Sequence, residues 1–323
     1  MQLIIRDLIY RSPLNMITFP PDKPIIVAAI MEHWNDVISF NQMFLSKFIF
    51  RGQANAEWNL SPSLERMVKN HHPNYIDKHI PNIYEERMLD TFKYKYPLYA
   101  NKIQPLEKEN VEWLTLMQHF GSPTRLLDFS DSIFVALYMA LDGAYTENSA
   151  IWAVNKFATQ KKHLEKYFKN NNTSSVSSLI FEKFLYDKAN DIIGHLPPKD
   201  IEREILPVYP HLCNERISIQ QGLFLMATDL CVPFYDVFCS FFEIEDSILE
   251  VPVKDLLDFS YIKGVDFRNL VLFKIIIPKK FKWELTLLLN QMNITAETLY
   301  PGLSGLAKSL SVLQLRDTMN YLE

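Results

Sequence analysis

The spacing of apolar positions changes period repeatedly along the chain, and each change marks a predicted element. From Ile25 to Phe44 the pattern fits a helix with Trp34, Val37, Ile38 and Phe40 on its buried side. Lys47-Phe48-Ile49-Phe50-Arg51-Gly52-Gln53 reads as a short strand, favoured by its aromatic and β-branched residues, that ends at Arg51-Gly52. A connector from Trp58 to Pro62 leads to helices over Ser63 to Asn70 and Ile83 to Tyr96, separated by a loop rich in His and Pro. Val111, Leu114, Met117 and Phe120 recur at helical spacing, with Gln118 and His119 in the last turn.

Gly121 and Pro123 break that helix, and Thr124 to Phe129 is short and extended. Ile133 to Leu141 is almost wholly apolar and predicts a buried helix, with Ser130 or Asp131 as its cap. Strands are predicted over Ala150 to Val154, Arg216 to Ala227 and Leu270 to Ile277, the last stopped by Pro278. In the second of these, Ile217, Ile219, Leu223 and Leu225 alternate, which puts Gln220 and Gln221 on opposite faces. Helices over Trp283 to Met292 and Leu303 to Leu322 close the chain. Residues 1–24 read as a strand and an irregular lead-in. Residues 156–200, dense in Lys, Glu and Asn, read as an insertion or helical lobe and a domain-like boundary.

Composition narrows the class. The chain has 323 residues, 48% hydrophobic and 22% charged, which is ordinary globular usage and excludes a disordered chain. Its net charge of -5 does not indicate nucleic acid as a partner. Cys213, Cys231 and Cys239 are too few and too loosely spaced for a disulfide framework or a metal pattern, so buried thiols in a reducing compartment are expected. His71 and His72 are read as solvated loop residues, and no metal is expected. The N-terminus lacks signal-peptide features and no run of about 18 apolar residues occurs. The expected location is the cytoplasm, with no membrane partner.

The candidate chemistry lies in one dense polar run. Gln118, His119, Thr124, Arg125, Asp128 and Ser130 stand directly before the apolar segment that must be buried, so the run is held against the core. Arg51, at the end of an apolar strand, offers a rigid fork for phosphate or carboxylate, or else pairs with an acid such as Asp128. Gly52 beside it lets the backbone turn or lets a ligand lie close. Arg125 and Asp128 point to opposite faces of an extended segment, and each reads either as a site residue or as half of a buried ion pair. His119 is a general acid or base, or a core histidine. Gln118 and Thr124 suit amide or hydroxyl recognition, and Gln221, next to Gly222, suits a ribose or an amide. No Walker loop, GxGxxG, GxSxG or HExxH motif occurs.

Four blocks carry a family resemblance. They are Phe50-Arg51-Gly52-Gln53 with Trp58-x-Leu60-x-Pro62-Ser63-Leu64; Gln118 to Ser130 with Val135-Ala136-Leu137-Tyr138-x-Ala140; Arg216-Ile217-x-x-Gln220-Gln221-Gly222-x-Phe224; and Asn293-Ile294 with Leu299-Tyr300-Pro301-Gly302-Leu303-x-Gly305-Leu306-Ala307. Together they resemble the FRG domain, over residues 25–310, with 156–200 as the insertion and 311–323 as a C-terminal helix end. The order Arg51-Gly52, Ser130 to Ala140, Gln220-Gln221-Gly222 also distantly resembles ADP-ribosyltransferases. That likeness implies an α+β fold, in which small mixed or antiparallel sheets form a split-sheet ADP-ribosyltransferase-like core surrounded by helices. It implies NAD as substrate, a nucleotide-type small molecule as partner and a macromolecular target. Catalytic residues would be Arg51, His119, Asp128 and Gln221; Arg51, Gly52, Gln118, Thr124, Arg125, Ser130 and Gln220 would bind NAD. The implied activity is an NAD-dependent ADP-ribosyltransferase or NAD glycohydrolase, acting as a toxin or phage-defence effector. The glutamate that such enzymes carry on the last strand has no counterpart in Gln220-Gln221-Gly222-Leu223. The alternative is a non-catalytic module that binds or senses a nucleotide or phosphate ligand.

Overall fold

The computed structural model describes residues 25–44, 47–72, 79–100, 104–143, 146–171, 176–196, 201–212, 215–244, 248–250, 253 and 270–310. The strand expected in the N-terminal lead-in, the end of the C-terminal helix and Cys213 lie outside them. Strands β1 (Ile25–Ile30), β2 (Phe48–Gln53), β3 (Leu127–Ser130), β4 (Ser149–Asn155), β5 (Ile205–Val208), β6 (Gly222–Ala227), β7 (Ile248–Glu250) and β8 (Leu270–Ile277) form one eight-stranded sheet, in the order β5-β6-β3-β2-β4-β8-β1-β7. β1 runs parallel to β7 and β8; the other neighbours are antiparallel. With its helices this is an α+β fold.

Helix α9 (Phe234–Phe242) covers one sheet face, packing Phe234, Phe238, Phe241 and Phe242 on Ile49, Leu127, Phe129, Trp152 and Leu225. Two separate groups of helices cover the other face. Helices α1 (Asp36–Phe44), α5 (Ile133–Leu141) and α10 (Lys282–Gln291) pack on Phe48, Phe50, Ala153 and Phe273. Helices α3 (Ile80–Lys95), α4 (Asn110–His119) and α7 (Ser178–Ile192) pack on Leu206, Val208, Phe224 and Met226. β3 lies between the two groups. Asp128, which points to this face in register with Phe224, is 64% exposed there.

Sequence periodicity misread two places. Residues 25–44 are not one helix: the run Ile25–Ile30 is β1, and only Asp36–Phe44 is helical. Ile26, Val27, Ala28 and Ala29 are all buried in a strand with neighbours on both edges, so no alternation marks it as a strand. Trp34 is accordingly 44% exposed rather than packed. Arg216 to Ala227 is not one strand either. Glu215–Ile219 is a short helix, α8, and the strand starts only at Gly222. The cap of α5 is Ser132, whose hydroxyl accepts from the Val135 amide at 3.4 Å.

Within the lysine-rich stretch, helix α6 (Lys156–Asn171) and α7 clamp one buried acid. Glu204 is fully buried and accepts from Lys166 and from Lys188, the latter at 2.6 Å. Burial alone would raise its pKa, but hydrogen bonds from Lys166 and Lys188 and the nearby His163 hold it at about 2. Cys231 and Cys239 are half-buried and unbridged. Among the described residues no helix is long and apolar enough to cross a membrane. None of them forms a metal-type cluster of His, Cys, Asp and Glu.

Candidate functional site

The sheet nearly divides at one seam. β2 and β3 pair in register only at Phe50 and Ser130, while β2 runs paired to β4 along its whole length. Beyond Phe50 the strands part, and the Arg51 side chain occupies the opening. Its Nη1 donates to the Asp128 backbone oxygen at 2.9 Å and lies 3.6 Å from the Asp128 carboxylate. A side chain thus takes over where the ladder bonds stop. Its Nε is buried and finds no hydrogen-bond partner among the described residues.

Asp128 joins a relay of polar contacts. Gln118 Nε2 donates to Asp128 Oδ1 at 2.6 Å, and the Thr124 hydroxyl donates to Gln118 Oε1. The Thr124 backbone is in turn fixed to helix α2 (Ser63–His71): its amide donates to Ser63 Oγ at 3.0 Å, and its carbonyl accepts from the Leu64 amide at 3.1 Å. The end of α4, the start of α2 and β3 therefore converge on the seam. The Arg51 guanidinium is held below its ordinary pKa by burial. Asp128 opposes that shift, and nearby Arg66 adds to it by repulsion.

The other expected site residues divide. Arg125 is fully buried and forks onto Glu85, with Nε donating to Oε1 at 2.6 Å and Nη2 to Oε2. It is half of a dry ion pair that ties β3 to α3, and it contributes nothing to the seam. Gly52 does not offer its backbone to a ligand. A Cβ there would stand 1.9 Å from the Ala136 oxygen and 2.5 Å from the Ala140 nitrogen, so helix α5 fills that space.

Ser130 and Gln220 serve as a brace. Ser130 Oγ donates to the Gln220 carbonyl at 2.7 Å, and Gln220 Nε2 donates to the Leu299 carbonyl at 3.0 Å. Gln221 is not on a strand. It is exposed in the turn before β6 at φ 48°, and its carbonyl accepts from the Asp131 amide at 3.0 Å. His119 is exposed at the end of α4 with its ring 5.0 Å from that of Phe120, outside the relay just described. The structure therefore gathers Arg51, Asp128, Gln118 and Thr124 and leaves Arg125, Gly52, His119 and the Gln221 side chain out.

Sequence reasoning did not single out three further residues. Arg66 follows the Pro62-Ser63-Leu64 block on α2, but nothing in its spacing aims it at Arg51. Ser61 has a buried Oγ with no hydrogen-bond partner among the described residues. Tyr300 packs its ring against Arg216 at 4.7 Å, and its hydroxyl lies 3.4 Å from Met139 Sδ. Burial pushes the Tyr300 phenol above its usual pKa, and Asp142 and Asp128 add to that.

An α+β domain whose sheet opens around an under-compensated arginine is the class that this geometry defines. The family model of the FRG domain matches residues 46–149, so the chain carries an FRG domain there. The match takes in β2, the helices α2 to α5 and β3, and hence all of Arg51, Ser61, Arg66, Gln118, Thr124 and Asp128. No curated protein and no solved structure matches the chain.

Proposed function

We propose that the protein is an ADP-ribosyltransferase-like enzyme that binds NAD at the β2–β3 seam and passes ADP-ribose to a macromolecular acceptor, as a toxin or phage-defence effector. One observation carries this reading: a guanidinium with an unused buried N–H stands beside an exposed carboxylate at the point where the sheet opens. Arg51 anchors the diphosphate of NAD through charge-assisted bonds. Gln118 and Thr124 hold Asp128 in place, and Asp128 faces the ribose next to nicotinamide.

As the glycosidic bond breaks, its electron pair leaves on the nicotinamide nitrogen and positive charge develops at the ribose carbon. A fixed carboxylate stabilises that charge. The acceptor's nucleophilic atom then bonds to the same carbon, and its proton passes to Asp128. With water as acceptor the net reaction is NAD hydrolysis. Nicotinamide release from NAD by the purified protein, compared with Arg51→Ala and Asp128→Asn, tests this. Release that drops by about a hundredfold or more in both variants is expected. No release and no NAD binding by the wild type overturns the reading.

One observation favours the second reading, a nucleotide- or phosphate-binding sensor without catalysis. The Gln220-Gln221 turn offers no carboxylate, and Asp128 Oδ1 is already engaged by Gln118. Arg51-dependent binding of NAD without any turnover would select it.

A further inference from the structure

The most exposed large apolar side chains are not scattered. Of the six most exposed among the described residues, four stand at one corner: Tyr94, Leu98, Tyr99 and Leu106, each between 71% and 84% exposed. Single exposed apolar residues are ordinary, but a cluster of them marks a surface that another molecule covers.

The corner is the end of α3, where the helix runs on into one 3₁₀ turn, Tyr96–Leu98. Tyr94 and Leu98 lie one turn apart on its outer side. The opposite side carries Phe92 and Tyr96, whose rings pack on Trp113 of α4 at 6.3 and 5.5 Å. Tyr99 follows directly, its amide bonded to the Tyr96 carbonyl at 3.0 Å. Leu106 is tied back to the same helix end. The Trp113 indole donates to its carbonyl at 3.0 Å, and its amide donates to Glu109 Oε2 at 2.9 Å. Lys93 Nζ donates to the next carbonyl, that of Glu107, at 2.9 Å and to Asn110 Oδ1 at 2.7 Å. The backbone is therefore fixed, and it holds these apolar tips outward.

The charge here departs from that of the chain. The whole protein carries -5, yet from Thr91 to Leu106 the sequence has Lys93, Lys95 and Lys102 and no acid. Asp90 and Glu107 bound the run, and Glu109 is turned onto the Leu106 amide. Lys95 is exposed one turn before Leu98 and Tyr99. Side chains this exposed form a protrusion rather than a groove, so a peptide would find no walls. Tyrosines suit the headgroup level of a bilayer, leucines the acyl boundary and lysines anionic lipid. Bases could stack on the tyrosines but would gain little from Leu98 and Leu106, which disfavours nucleic acid.

We propose that the end of α3 and the Leu106 turn form a docking tip for an anionic membrane surface. The contact is peripheral and needs no spanning helix. It replaces the expectation of no membrane partner, which considered only spans and signal peptides. It does not depend on the NAD reading.

The test is co-sedimentation of the intact protein with phosphatidylcholine vesicles and with vesicles containing about one-third phosphatidylserine, at low and high salt. The wild type is expected to bind the anionic vesicles, to bind the neutral ones at least about tenfold more weakly, and to be released by salt. Leu98→Ser combined with Leu106→Ser should lower partitioning by about tenfold or more, because two inserted side chains are lost. Lys95→Glu should lower it by about tenfold on anionic vesicles alone. All three side chains are exposed, so the melting temperature should not move.

No binding to anionic vesicles, or binding that the double variant keeps in full, overturns the proposal. So does binding of a uridine oligonucleotide in place of vesicles. A dimer that the double variant abolishes, in a protein that ignores vesicles, overturns it as well. None of these changes touches Arg51 or Asp128, so the docking tip and the NAD reading fail separately.

Discussion

Arg51 and Arg125 make the instructive pair. Both lie in the polar blocks that stand out in the sequence, and both contact an acid. Arg125 is fully buried, meets Glu85 with both arms of its fork and reaches the Ala227 carbonyl at 3.5 Å. Every strong demand of that guanidinium is met within the fold. Arg51 has a backbone oxygen, a carboxylate at 3.6 Å, a second arginine nearby and an N–H left over. The fold completes the first arginine and leaves the second unfinished; the first serves stability, and the second is the group that the proposed function assigns to a guest.

The contrast is easiest to break through Arg125. Arg125→Ala leaves the Glu85 carboxylate buried and uncompensated, so urea denaturation should show a loss of about 3–5 kcal/mol. A loss under about 1 kcal/mol would make Arg125 no more structural than a surface residue. Gly52→Ala comes next. Its Cβ would press on the backbone of α5, and a destabilisation of about 3 kcal/mol is expected. A stable Gly52→Ala protein that loses only ligand binding would return Gly52 to the site.

Glu204 extends the rule to a carboxylate. Its pKa falls from 4.5 unfolded to about 2 folded, so its stabilisation is complete above about pH 4.5 and disappears as pH falls through about 2. The stability gap between wild type and Glu204→Gln should close over that window, by an amount on the order of 3 kcal/mol. A gap that stays constant across it would remove Glu204 from the completed class. The smallest effect on stability belongs to Arg51→Ala, about 1–2 kcal/mol below wild type in the same assay, since one hydrogen bond to the Asp128 backbone and a loose ion pair are lost.

The elements that frame this contrast are largely legible in the chain, the contrast itself is not, and the reasons are physical. β2, β4 and β8 are marked by β-branched and aromatic residues and by breakers at their ends. β1 hid because a strand buried on both faces has no alternation to betray it. Ile217 and Ile219 mimic that alternation from within the short turn of helix α8, which is why Gln220 and Gln221 were expected on a strand. The approach of Arg51 to Asp128 was legible as one of two open choices. What separates Arg51 from Arg125 is the partner each finds across long sequence distances, Asp128 for one and Glu85 for the other. Arg66 escaped for the same reason: nothing local in the chain shows that its charge acts on Arg51.

The central claim is that Arg51 holds an anion in the opening of the sheet. The most direct measurement is the affinity for ADP-ribose of the wild type, Arg51→Ala and Arg51→Lys at low and high salt. Binding by the wild type that weakens with salt, falls at least about tenfold in Arg51→Ala and recovers partly in Arg51→Lys is the predicted result. Equal affinity in all three proteins, or no binding by any of them, would contradict it.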